Sequence, residues 1–348
     1  MLFLDEMINK FNEVVMVNKT GKRLKSIVQV LSIPFFTGVF VLIALSFSSN
    51  DEADFDKRKR FKDDYSIHAL TLPDSMYFAD EKVPLDYFDV REALDRELLV
   101  NTYWQSHTLL LIKRASRYFP LIDSILEAND VPGDFKYLAL IESEFLQAVS
   151  PAGAVGFWQF MSGTAKDYGL VINHEIDERY NIEKATEAAA KFLKDAYEKF
   201  GSWTMAAAAY NFGRKALAKQ IEIQKQNKYH DLLLNTETAR YVYRILAVKL
   251  ILESPGAYGF HVDQESLYHS VPTYEVKVDS SIENFADFAE DHMINYKLLK
   301  YFNPWLRQPY LKNPEGRTYC IKIPEKGYRN IKKIRQYTQN TKRKLDID

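Results

Sequence analysis

The stretch YLALIESEFLQAVSPAGAVGFWQF, Tyr137 to Phe160, sets two carboxylates, Glu142 and Glu144, in an otherwise apolar run. A loop of small residues and a Trp-Gln pair follow. Asp134 upstream is placed as an N-cap, and the apolar spacing predicts a helix from there to about Phe145. Pro151, Gly153 and Gly156 then mark a loop. Paired carboxylates suit glycosidic-bond cleavage, where one donates a proton and the other serves as nucleophile or base. Spacing separates these two, however. Residues two apart on a helix point in different directions and do not flank one bond. Both also lie at the margins of the side crowded by Leu138, Ile141 and Phe145, so the helical wheel does not choose between them. A pair of surface charges is an equally open reading.

Outward from this stretch, the soluble sequence reads as helix almost throughout. The run from Val90 to Asp130 carries apolar residues three and four apart, which predicts two or three amphipathic helices, with Pro120 opening one of them. Asn181 can cap an Ala-rich helix that stops at Gly201, and SWTMAAAAYNFG predicts another, ended by Gly213 as a left-handed cap. TARYVYRILAVKLILE is a last long helix, stopped before Pro255. The character then changes. TYEVKV alternates like a strand, SIENFADFAEDH and NYKLLKYFN read as short helices, and TYCIKIP alternates again. The expected fold is mainly α, with a small βααβ module at the C-terminus.

The N-terminal part reads differently. Ile27 to Phe47 is an uncharged apolar run of about 20 residues, the length a bilayer-spanning helix needs. Lys19, Lys22, Arg23 and Lys25 precede it, and Asp51, Glu52 and Asp54 follow. That asymmetry places residues 1–25 in the cytoplasm, a single-pass anchor at 26–48 in the cytoplasmic membrane, and the rest on the periplasmic side. A cleaved signal peptide, cut near Ser46–Ser48, is the rival reading. Residues 49–84, dense in both charge signs, read as a linker, with ordered sequence beginning at Pro84. A helical domain over 85–255 follows, with its core at 130–250, then a linker at 256–272. The C-terminal module spans 273–326 and a solvated basic tail 327–348.

Composition narrows the classes. Of 348 residues, 47% are apolar and 27% charged, which suits a folded core, and the net charge of −1 gives no reason to expect nucleic acid as a partner. Aromatics reach 14%. They suit stacking on sugars, although core packing accounts for most such residues. The single cysteine, Cys320, precludes an intrachain disulfide and reads as a buried thiol in a strand. His174-Glu175 is not followed by a second histidine at metal spacing, and there is no phosphate loop, dinucleotide fingerprint or G-x-S-x-G. No metal or cofactor is expected, and a monomer is.

Four motifs appear in order between Asp134 and Ala247: E-S-x-F at Glu142–Phe145, G-A-x-G-x-x-Q at Gly153–Gln159, A-Y-N-x-G at Ala209–Gly213, and E-T-x-x-Y at Glu237–Tyr241. Together they resemble the goose-lysozyme-type fold of lytic transglycosylases, in the soluble-lytic-transglycosylase superfamily and its membrane-bound D-type branch. The resemblance implies one catalytic acid/base, at Glu142, with Glu144 a bystander. It implies saccharide contacts from Ser150 and Gln159, a tyrosine near the cleaved bond at Tyr210 with Asn211 beside it, and Glu237 and Tyr241 on the far wall of the groove. Phe157 stands where the family usually has leucine, which changes the pocket's shape and removes no chemistry. Each residue also has a plainer reading. Ser150 can build a turn, Gln159 can cap backbone groups, Tyr210–Gly213 can be a helix terminus, and Glu237 suits the first turn of any helix. Asp177 and Arg179 read as a structural ion pair.

The resemblance further implies a substrate, the glycan strands of peptidoglycan, and a product, the 1,6-anhydro end of N-acetylmuramic acid. A glutamate enclosed by apolar groups has its charged form disfavoured and can remain protonated near neutral pH. The sugar's own acetamido group and O6 hydroxyl then make a second carboxylate unnecessary. Tyr274 to Pro324, including the Asn303-Pro304 turn, resembles a LysM domain. Asp279-Ser280 replaces the usual Gly-Asp there, so glycan binding and simple buttressing are both open for this module. A hydrolytic lysozyme-type muramidase and a non-catalytic peptidoglycan-binding anchor are the alternatives for the whole chain.

Overall fold

The computed structural model describes residues 67–345. The expected cytoplasmic segment, the anchor at 26–48 and the first half of the linker lie outside the described residues. Among the described residues, no helix is long and apolar enough to cross a membrane.

Among these residues the chain forms eleven helices and two two-stranded sheets. A short hairpin, β1 (Tyr77–Phe78) and β2 (Glu81–Lys82), comes first. Helices α1 (Phe88–Tyr103), α2 (Gln105–Ala128), α3 (Phe135–Ser143), α4 (Ser162–Asp167), α5 (Ile182–Phe200), α6 (Trp203–Phe212), α7 (Arg214–Gln224) and α8 (Thr236–Glu253) follow. The C-terminal part holds β3 (Thr273–Val278), α9 (Phe285–Asp291), α10 (Tyr296–Phe302), β4 (Tyr319–Pro324) and α11 (Ile331–Leu345). The architecture is mainly helical with a small βααβ module, as expected.

Helix α8 is the central post of the helical part, packing against α1, α3 and α6. Its inward residues, Tyr241, Val242, Ile245, Leu246 and Ile251, are all buried. Close approach of α5 and α6 is made possible by alanine. Ala188, Ala189, Ala206 and Ala207 are buried at this packing, where larger side chains would hold the backbones apart.

Several expectations change. Pro120 lies inside α2 rather than opening a helix. Asp134 does not cap α3 with its side chain; its carboxylate accepts from the Ala79 amide at 2.8 Å and from Lys249 at 2.7 Å. Those bonds hold the hairpin turn, whose Ala79 and Asp80 have φ of 50° and 63°. The part of the expected linker from Leu72 to Val83 is core: Leu72, Met76, Phe78 and Val83 are buried. Glu81 accepts hydrogen bonds from the Trp203 and Thr204 amides and so caps α6 from a distance in sequence. Gly213 ends α6 at φ 85°, ψ 136°, a positive φ outside the left-handed helical well.

The C-terminal strands pair antiparallel, Thr273 opposite Pro324 through Val278 opposite Tyr319. Tyr319, Ile321 and Ile323 point inward, which leaves Cys320 on the opposite face and exposed, not buried as expected. The module's core also takes in Val155, Ile176 and Tyr180 from the helical part. Residues 256–272 run along α2, where the Tyr268 amide donates to Lys113 O and Arg117 donates to His269 O. The expected solvated tail is helical over Ile331–Leu345, with Ile334 buried.

Candidate active site

Helix α3 is apolar on nearly all sides: Leu138, Ala139 and Leu140 are fully buried. A helix of this kind belongs in a core. It therefore carries Glu142 into the interior on its last turn, where the side chain remains half-buried with an edge open to solvent. The helix stops at Ser143, two residues short of the expected end. Glu144 and Phe145 both adopt left-handed φ, 53° and 54°, a conformation that costs on the order of 1 kcal/mol per non-glycine residue. Surrounding contacts hold them there. The Ser143 hydroxyl donates to Phe157 O at 2.9 Å, and the Phe145 ring packs on Tyr118, Phe119 and Phe157.

This turn separates the two glutamates chemically. Glu144 leaves the helix and meets Arg114 at 2.9 Å and His107 Nδ1 at 3.4 Å. Glu142 instead accepts a hydrogen bond from the Tyr241 hydroxyl on α8. Burial pushes the Glu142 carboxyl up to about 7, with Glu237 adding to the rise, while the Tyr241 hydrogen bond and Arg244 act against it. A group so placed exchanges its proton near neutral pH. Tyr241 itself is driven well above its ordinary value by burial and by Glu142, so it stays a donor.

The remaining expected residues divide into near and far. Tyr210 is close enough for Glu142 to raise it further, beyond the larger effect of burial. Its hydroxyl donates to Trp158 O at 2.7 Å, so it holds the loop beside Glu142. Asn211 donates to Glu237 Oε1 at 2.8 Å and accepts from Thr238 at 2.8 Å, which joins the end of α6 to the start of α8. Glu237 is exposed. Ser150 and Gln159 serve the loop's own backbone in this structure. Ser150 Oγ accepts from the Ala154 amide at 3.0 Å, and the Gln159 amide donates to Gly156 O at 2.8 Å and Ala148 O at 3.2 Å. Gln159 adopts a φ of 47° to do so. The Gln159 carbonyl and the Ser150 proton stay available for a ligand. Tyr241, expected on the far wall, is the direct hydrogen-bond partner of Glu142.

The loop is clamped from behind. Arg179 pairs with Asp177 through two nitrogens, at 2.9 and 2.7 Å, and donates to Gly153 O and Phe160 O, both at 3.1 Å. Gly156 crosses directly over Arg179, where a Cβ would stand 2.1 Å from the Arg179 carbonyl oxygen. Trp158 Nε1 donates to Thr186 on α5 at 2.9 Å. The clamp is tied in turn to the C-terminal module, since the Asp177 amide donates to Trp305 O at 3.0 Å and the Arg307 amide to Glu175 O at 2.7 Å. The sequence reading missed Arg244. It lies one turn beyond Tyr241 on α8, and that spacing was the available signal. Among the described residues, no group of three or more His, Cys, Asp or Glu is arranged to hold a metal ion.

Residues 123–233 match the Transglycosylase SLT domain family, and residues 274–327 match the Soluble lytic transglycosylase C-terminal LysM-like domain. Two curated relatives, from Escherichia coli strains K12 and O6:H1, are each 28% identical over 284 residues. Both carry the name Membrane-bound lytic murein transglycosylase D. The match covers 79% of this chain and 61% of each relative, so the chain spans less than two thirds of their length.

Proposed function

We propose that this chain, in which a transglycosylase SLT domain is joined to a LysM-like module, is a peptidoglycan lytic transglycosylase with Glu142 as its acid/base. The observation that carries the reading is the carboxyl of Glu142, raised to about 7 at the open end of a core helix. The protonated acid gives its proton to the glycosidic oxygen as the bond from C1 of N-acetylmuramic acid breaks. The acetamido oxygen of the same sugar closes on C1. Glu142, now a carboxylate, takes the proton of the O6 hydroxyl, and O6 displaces the acetamido oxygen from C1. The product is a 1,6-anhydro end, and no water is consumed.

Tyr241 holds the Glu142 carboxyl in place through both proton transfers. Tyr210 fixes the Trp158 backbone, and the Asn211–Glu237–Thr238 contacts fix the opposite wall. Gln159 and Ser150 contribute their remaining carbonyl and hydroxyl to the saccharide. Glu237, close enough to influence Glu142, favours one second reading, a hydrolytic muramidase in which it activates water. A membrane tether at 26–48, with the enzyme on the periplasmic side, accords with the charge asymmetry around that run and with the relatives' name. The test is digestion of purified peptidoglycan by the full-length protein in detergent. Release of soluble muropeptides is expected; no release would instead favour a non-catalytic wall-binding anchor.

A further inference from the structure

Trp104 stands at the break between α1 and α2, where φ −90° and ψ 61° interrupt what would otherwise be one helix. Of the four tryptophans, Trp158 and Trp305 are buried and Trp203 is stacked on Tyr197, whereas Trp104 is 57% exposed. One face of its indole stacks on His107, with ring centroids 4.1 Å apart and planes 14° apart. The imidazole is fixed in turn. His107 Nδ1 is 3.4 Å from Glu144, and the other oxygen of Glu144 binds Arg114 at 2.9 Å. An exposed indole held flat by a braced ring is a preorganised platform, not a loose surface side chain.

The platform is tied to the neighbourhood of Glu142. Arg244 acts electrostatically on both His107 and Glu142, and its guanidinium donates to Ile141 O at 3.4 Å, next to Glu142 in the chain. Glu144, which braces His107, is two residues from Glu142 along the chain. A β-1,4-linked strand of pyranoses presents flat faces of axial C–H bonds, and an indole face is their natural partner. We propose that Trp104, backed by His107, is a stacking subsite for a sugar of the glycan strand away from the cleaved bond. This inference rests on the reading of Glu142 as the acid of a glycan-cleaving groove. It gives Glu144 a purpose that the chemistry alone does not, as the brace of the platform.

A remote subsite acts on long strands and not on short ones. With the full-length protein, Trp104→Ala is expected to raise KM for long glycan strands about five- to tenfold. KM for the shortest cleaved oligosaccharide, and kcat for both, should stay within about twofold. Trp104→Phe should restore most of the loss. An unchanged KM for long strands, or an equal rise for short and long ones, would overturn the proposal. A second measurement does not depend on turnover. In Glu142→Gln, long peptidoglycan oligosaccharides should shield the exposed indole from acrylamide quenching, and the shielded component should be missing when Trp104→Phe is added. Quenching unaffected by long strands contradicts the subsite even if the enzyme is active. Shielding without any turnover by the wild-type protein would leave the platform standing and remove the catalytic reading.

Discussion

At the scale of single residues, Glu142 and Glu144 are set apart by their neighbours. Glu144 lies beside the Arg114 guanidinium, while Glu142 is enclosed and touched by a neutral phenol. Glu142→Gln should lower turnover by about 10²- to 10⁴-fold, the range for losing a positioned proton donor. Glu144→Gln should leave turnover on a short oligosaccharide within about threefold, since any loss enters through the His107 platform. Steady-state rates of the two variants check this, and the reverse ranking would refute the assignment. The pH profile follows from the same carboxyl. Bond cleavage needs the protonated acid, so kcat/KM should fall as pH rises through about 7. The Tyr241 hydrogen bond favours the ionised form, so Tyr241→Phe should move that falling limb to higher pH. A limb that stays in place or moves to lower pH would show that Tyr241 does not tune the acid. None of this was readable from the helical wheel, because Arg114, Tyr241 and Arg244 reach Glu142 and Glu144 from distant parts of the sequence.

At the scale of elements, periodicity and caps carried most of the information. The Asn181 cap, the Gly201 stop and the βααβ order were legible because each is a local effect: a side chain accepting a nearby amide, a glycine at positive φ, or a period of two. The misreadings about Asp134, the segment before Pro84 and Cys320 are long-range. Asp134 is taken from its cap by Ala79 and Lys249. Leu72 to Val83 looks like more linker, but its apolar residues fill the core and Glu81 caps a helix more than a hundred residues away. Cys320 was placed on the wrong face because only the packing of Tyr319 and Ile321 fixes the strand's phase. The loop from Ser150 to Phe160 is legible as a loop, but the clamp behind it is not. Arg179→Ala would leave Asp177 buried without its partner and two loop carbonyls without their donor. A loss of about 3–5 kcal/mol is expected, read by urea denaturation. A loss below about 1 kcal/mol would mean that the loop is held by other contacts.

At the scale of the whole molecule, the C-terminal module and the helical part share a core through Val155, Ile176 and Tyr180. The segment that binds the Arg179 clamp is bonded to Trp305 and Arg307 of the module. The module therefore buttresses the loop from Ser150 to Phe160. A chain ending at residue 272 would expose those three apolar side chains and release the clamp. It should melt about 5 °C or more below the parent and lose most of its activity. An unchanged melting temperature would mean that the two parts are energetically independent. In the proposed reaction one glutamate suffices because the substrate supplies its own nucleophiles. Mass spectrometry of the products released from peptidoglycan tests it most directly. Muropeptides with 1,6-anhydro ends, lighter by one water than hydrolysis products, are expected, and none from Glu142→Gln. A spectrum containing only reducing ends would contradict it.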